Sequence, residues 1–181
     1  MVDGPKALAG LWGFAEATIF FIVPDVLLSR IALRSPKAGF LACLYALAGA
    51  LVGGAAMWVW GSFDPQTARQ LIGSLPATDA AMIASVHQQL ADDGIAAIIM
   101  GPLGGVPYKI YAVEAATLGH GLVTFLAVSI PGRLIRFVLV TALAAAVARG
   151  LRGRTSPRSL EWLHLASWTT FYAWFFSVMP T

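Results

Sequence analysis

The chain has 181 residues, of which 58% are hydrophobic and 12% charged, with a mean hydropathy of +0.75. Soluble domains carry about 25% charged residues, so this composition excludes an ordinary water-soluble fold and points to an all-α integral membrane protein with one membrane domain. The net charge of +3 comes from basic residues flanking apolar stretches, which reads as a topology signal and not as a nucleic-acid surface.

Five apolar stretches occur in chain order, at about 7–33, 38–61, 94–118, 120–148 and 160–179. The leading MVDGPK is too weakly basic, and too continuous with the first apolar stretch, to read as a cleaved signal peptide. A bilayer core takes about 20 helical residues to cross. The second stretch has no charge between Lys37 and Asp64, and its Gly49 and Gly53 form a G-x-x-x-G that permits close helix packing. Cys43, the lone cysteine, excludes an internal disulfide. The connection 62–93 is acidic, and its part 78–93 reads as an amphipathic helix on the outer surface. Thr78 or Asp79 would cap its start and Gly94 its end.

The charges set the topology. Lys6, Arg30, Arg34 and Lys37 flank the first stretch, and Arg149, Arg152, Arg154 and Arg158 fill a basic loop at 149–158. The positive-inside rule places both groups in the cytoplasm and 62–93 outside. Stretch 7–33 then starts and ends inside, so it cannot cross. Only one of 94–118 and 120–148 can cross, and 94–118 is broken by Gly104, Gly105 and Pro107, with Pro102 just before. Its arms, 94–106 and 107–118, span roughly 18–20 Å against a core of about 30 Å.

Both stretches therefore read as re-entrant hairpins that break at Pro24 in the first and at Gly105 and Pro107 in the second. The expected fold is an inverted repeat. A hairpin plus an outward crossing (7–61) is matched by a hairpin plus an inward crossing (94–148), and a C-terminal transmembrane helix comes last at 160–179. Opposed broken helices meeting near the midplane are a transporter pattern.

The segments EATIFFIVPDVLL (16–28), VPYKIYAVEAATLG (106–119) and GRLIRF (132–137) resemble the DedA membrane proteins. These are also called VTT-domain or SNARE-associated Golgi proteins, and the likeness is greatest to their YqaA-like branch. It covers about residues 10–148. Phe21 and Val23 precede Pro24, and Gly105 precedes Pro107, where that branch has Pro-x-Pro. The resemblance implies two opposed re-entrant hairpins in a bacterial inner membrane and movement of lipids between leaflets. Those lipids include a polyprenyl-phosphate carrier for a flippase, or general phospholipids for a scramblase. It implies roles for Glu16 and Asp25 as membrane acids, Lys109 as the lysine after Pro-Tyr, and Arg133 and Arg136 as the arginine pair.

The residues themselves support the same assignment. Glu16, Asp25, Lys109, Glu114, Arg133 and Arg136 all fall inside apolar stretches, where ionisable groups are costly and default to function. Arg133 and Arg136 share a helical face, and guanidinium groups bind phosphate with paired hydrogen bonds. Lys109 is a third candidate for the phosphate. Glu16 and Asp25 are candidates for proton coupling or gating, since burial raises a carboxyl pKa and a nearby arginine lowers it. A purely structural network, with the arginines holding Glu16 or Asp25, is the alternative. For Asp25 a simple helix cap after Pro24 competes as well, and Glu114 is expected near the outer interface.

His87, His120 and His164 are scattered, and no metal-ligand spacing, cofactor motif or catalytic constellation occurs along the chain. The expected activity is therefore transport and not enzymatic, with membrane lipids as partners and protons as the candidate coupling ion. A proton-coupled ion or small-solute transporter and a non-transporting scaffold are the rivals.

Overall fold

A computed structural model of the chain describes residues 4–101 and 104–178. Pro102 and Leu103, inside the second broken stretch, and Met179, at the end of the fifth, lie outside the described residues. The described residues are mostly helix, joined by turns and short irregular links. In order they form α1 (Gly4–Thr18), α2 (Asp25–Arg34), α3 (Pro36–Phe63), α4 (Pro65–Gly73) and α5 (Ala80–Asp93). After the 3₁₀ turn Gly94–Ala96 come α6 (Ala97–Met100), α7 (Tyr108–Thr117), α8 (Leu122–Gly150) and α9 (Pro157–Val178).

Among the described residues α3 and α8 alone are both long and apolar enough to cross a membrane, with mean hydropathies of 1.9 and 1.8. Each is nearly 30 residues rich in Leu, Ala, Val and Gly, and the one proline within either body is Pro131 of α8. α9 has the length, but its Trp, His, Ser and Thr content keeps it outside that pair.

α3 is the spine, packed by α1, α2, α7 and α8. It holds that place because its buried positions are small: Gly39, Ala42, Ala46, Ala50, Gly53 and Gly61 among them. Small residues let backbones approach closely. A Cβ on Gly53 would lie 2.8 Å from the Phe14 carbonyl oxygen, and one on Gly49 would lie 3.0 Å from Phe14 N. The G-x-x-x-G thus seats α1. Gly49→Leu is expected to lower stability by about 3 kcal/mol, because the obstructing atoms are backbone and cannot rotate away. Gly150, where an added Cβ meets nothing within 4 Å, supplies the control in Gly150→Ala. Equal melting midpoints for the two variants in detergent would remove the close contact.

The first apolar stretch is two helices with an irregular link. α1 ends as the Thr18 hydroxyl bonds back to the Phe14 and Ala15 carbonyls at 2.9 and 3.0 Å, and α2 starts after Pro24. α1 has 15 residues and ends at Thr18, well before the break expected at Pro24. The second stretch contains more turn than the arm lengths suggested. α6 is only four residues, Gly105 takes φ +83°, and Pro107 precedes α7 in extended conformation. That φ is left-handed, which glycine adopts freely.

The acidic connection contains the helix expected at 78–93, as α5. It holds α4 as well, capped by Asp64, whose Oδ1 accepts from Thr67 N at 3.1 Å. Hydrogen bonds from Thr67 hold the Asp64 carboxyl below its ordinary pKa. Asp79 caps α5, accepting from Met82 N at 2.6 Å, while the Thr78 hydroxyl donates to the Ile72 carbonyl at 2.5 Å. Ile72, Ile83, Val86 and Leu90 are buried in the same core as Tyr111 and Val113. The pair α4–α5 is therefore docked on α7 rather than lying free.

Candidate functional site

The two irregular links meet. Lys109 sits on the first turn of α7, just after Pro107, and its Nζ donates to the Phe20 carbonyl oxygen at 2.7 Å. Other backbone groups of the first link are also taken. Trp12 Nε1 donates to the Ile22 carbonyl at 2.9 Å, and Val23 N donates to the Tyr172 hydroxyl of α9 at 2.9 Å. Irregular backbone away from water needs such partners.

Behind this junction lie two ion pairs, one each for Arg133 and Arg136 of α8. Arg133 bonds Glu16 through both guanidinium ends, Nη1 to Oε1 at 3.3 Å and Nη2 to Oε2. The pair is buried: Glu16 is 4% exposed and Arg133 1%. The Arg133 guanidinium also lies 4.7 Å from the Tyr108 ring centre and 5.0 Å from that of Phe137, a cation–π clamp. Arg136, three residues on, bonds Asp25 Oδ2 through Nε at 2.9 Å and Nη2 at 2.6 Å. Asp25 makes no cap bond: Pro24 occupies the cap position and Asp25 is the first residue of α2, aimed at Arg136. The capping alternative is thereby set aside. Two buried polar atoms here, Asp25 Oδ1 and Arg133 Nε, have no hydrogen-bond partner among the described residues.

A cavity of about 230 Å³ opens between the two links. Glu16, Lys109 and Arg136 supply its charge, and Trp168, Phe171 and Tyr172 of α9 form an aromatic wall. Gly105 and Pro107 line its rim from the second link, with Pro24 just beyond Val23 on the first. Gly132 is a packing residue: a Cβ there would lie 3.0 Å from the Ile98 carbonyl oxygen of α6.

Glu114, expected near the outer interface, is engaged within the protein. It is fully buried, and it accepts from Arg69 Nε at 2.7 Å and Nη2 at 2.6 Å while His87 Nδ1 lies 2.8 Å from its Oε2. This cluster ties α4 and α5 to α7. The hydrogen bonds to Glu114 raise the Arg69 pKa above its already high value, against the opposing effect of partial burial. Arg69 and His87 carry no local motif, so their partnership was not readable along the chain.

α9 is held at several points. Ser29 Oγ lies 2.8 Å from His164 Nε2 and accepts from Trp168 Nε1 at 3.2 Å, and Arg34 Nε donates to Glu161 at 2.7 Å. His164 is thus a structural tie. Cys43 is buried, 3.2 Å from Thr141 Oγ1. No group of three or more His, Cys, Asp or Glu suited to a metal occurs among the described residues.

No protein-family model matches the chain, and no solved structure matches it. The chain is 25% identical over 132 residues to a protein of Haemophilus influenzae (strain ATCC 51907 / DSM 11121 / KW20 / Rd) that is described as an uncharacterized protein. The match covers 73% of this chain and 68% of that one.

Proposed function

We propose that the chain is a multi-pass protein of a bacterial inner membrane, of the DedA type, that carries a phosphate-bearing lipid between leaflets. In this reading the two broken stretches are re-entrant hairpins of an inverted repeat, α3 and α8 are its crossing helices, and α9 is a further span. The basic loops face the cytoplasm.

One observation carries the proposal. Both links converge on a cavity that joins Lys109, Arg136 and Glu16 to an aromatic wall. Cations suit a phosphate, and an apolar wall suits the hydrocarbon beside it. Arg133 and Arg136 already present the paired donors a phosphate takes, but carboxylates occupy them. Protonation of Glu16 or Asp25 would remove the competing charge and release an arginine to the headgroup. Deprotonation would restore the pair and expel the lipid. Proton binding and phosphate binding would then be linked with the same sign. Asp25 Oδ1, which has no hydrogen-bond partner among the described residues, supports this reading.

The satisfied pairs favour a second reading, in which the charges only lock helices together. Leaflet exchange in proteoliposomes separates the two. A polyprenyl-phosphate probe is compared with ordinary phospholipid probes, with and without a proton gradient. Asp25→Asn with Arg136→Gln keeps the site neutral and is expected to lose about tenfold or more in exchange, the worth of one charged hydrogen-bonded contact. Undiminished exchange in that variant would leave the locking role alone. Proton uptake without lipid movement would replace the lipid with a small solute.

A further inference from the structure

α9 packs chiefly on α2 and stands off α8, which leaves a groove of about 570 Å³ between α8 and α9. Val140, Leu143, Ala144 and Val147 form one wall and Leu160 and Leu163 the other. The flanks are open: Leu143 is 67% exposed and Leu163 52%. From Val140 to Leu151 the groove runs about 16 Å along α8, half of a hydrocarbon core of about 30 Å.

Its two ends differ. At the α8–α9 turn, Arg149, Arg152, Arg154 and Arg158 are all exposed, and none pairs with a carboxylate among the described residues. The nearby acid, Glu161, is engaged by Arg34 at 2.5 Å. At the deep end the groove closes on Trp168 and Phe171, the same residues that wall the charged cavity. An apolar trough one leaflet long with a cationic mouth fits an amphiphile with an anionic head.

We propose that this groove binds one hydrocarbon chain of an anionic phospholipid, with its phosphate on the arginines of the α8–α9 turn. The site rests on the membrane reading above but not on lipid movement. The tail would lie against the outer side of the aromatic wall, beside the cavity and separate from it.

The test uses phosphatidylcholine vesicles containing the full chain and a trace of phosphatidylglycerol with a photoactivatable diazirine on its acyl chain. Cross-links are mapped by mass spectrometry, and diazirine phosphatidylcholine is the comparison. Labelling should fall on Leu143, Val147 and Leu163 and be stronger for the anionic probe. Replacing Arg149, Arg152 and Arg154 with Gln should reduce anionic labelling by about fivefold per charge, since each surface cation near an anionic lipid contributes about 1 kcal/mol. These side chains are exposed, so the variant should fold. Ala144→Trp should block the trough and abolish labelling there.

Equal labelling by both probes, or labelling indifferent to the arginines, would overturn the proposal. So would cross-links from Leu143 to a second copy of the chain in place of lipid. Leaflet exchange is read in the same vesicles. Labelling without exchange keeps this site and removes the transport reading, whereas exchange without selective labelling removes this site alone.

Discussion

Arg133→Met will cost about 3–5 kcal/mol of stability, because it leaves the Glu16 carboxylate buried without its counter-charge. Adding Glu16→Gln will restore most of that loss. The asymmetry comes from desolvation. Both members are almost wholly shielded, at 4% and 1% exposure, so neither can turn to solvent when the other is removed. A neutral pair carries no such penalty, and an apolar replacement of a buried ion pair is often neutral or better. Melting in detergent at fixed protein concentration compares the parent chain with both variants. A double variant no more stable than Arg133→Met would mean that the pair is not coupled as its geometry indicates. The double variant also tests the proposed function: folded, yet without the Arg133 guanidinium, it separates any part of the arginine in the proposed lipid exchange from its part in holding α1 to α8.

Arg69→Met will be the most damaging single change of charge outside that centre, at about 3 kcal/mol, and will exceed Glu114→Gln by about 1–2 kcal/mol. The direction comes from unequal burial. Removing Arg69 strands a fully buried carboxylate with only His87 beside it, whereas removing the Glu114 charge frees an arginine side chain that is 34% exposed and can reach water. The pair also anchors α4 to α7, so Arg69→Met should speed hydrogen exchange in α4 while leaving α1 and α3 protected. Equal costs for the two variants, or exchange that rises everywhere alike, would count against a local tie.

Parts of this arrangement were legible along the chain. The long apolar runs at 38–61 and 120–148 became α3 and α8, because an uninterrupted run of that length has few other ways to satisfy its backbone. Pro24 and Pro107 marked the breaks and sit just before the starts of α2 and α7, where a missing N–H costs little, and Gly105 takes its left-handed turn without strain. Arg133 and Arg136 shared a face as their spacing required. The pairing of the α8 arginines with Glu16 and Asp25 was among the expected alternatives, but which arginine takes which acid, and the Arg69–Glu114 pair, stayed hidden. Glu16 and Arg133 lie 117 residues apart, and Arg69 and Glu114 45, so no local pattern joins them. Lys109 found a backbone carbonyl, and such an acceptor has no signature in residue identity. α4 was missed because its nine residues are too few and too mixed to show a period against the acidic connection.

The hydroxyl of Tyr172 on Val23 N has a mechanical meaning for α9. That amide belongs to the first link and has no helix carbonyl to return to, so it needs an oxygen from elsewhere. If α9 swings away, the oxygen leaves with it. Any opening of the aromatic wall would therefore be an exchange of acceptors at one amide. A water or another oxygen would have to arrive as the phenol departs, so the rate of any opening would depend on how readily such an oxygen reaches the link.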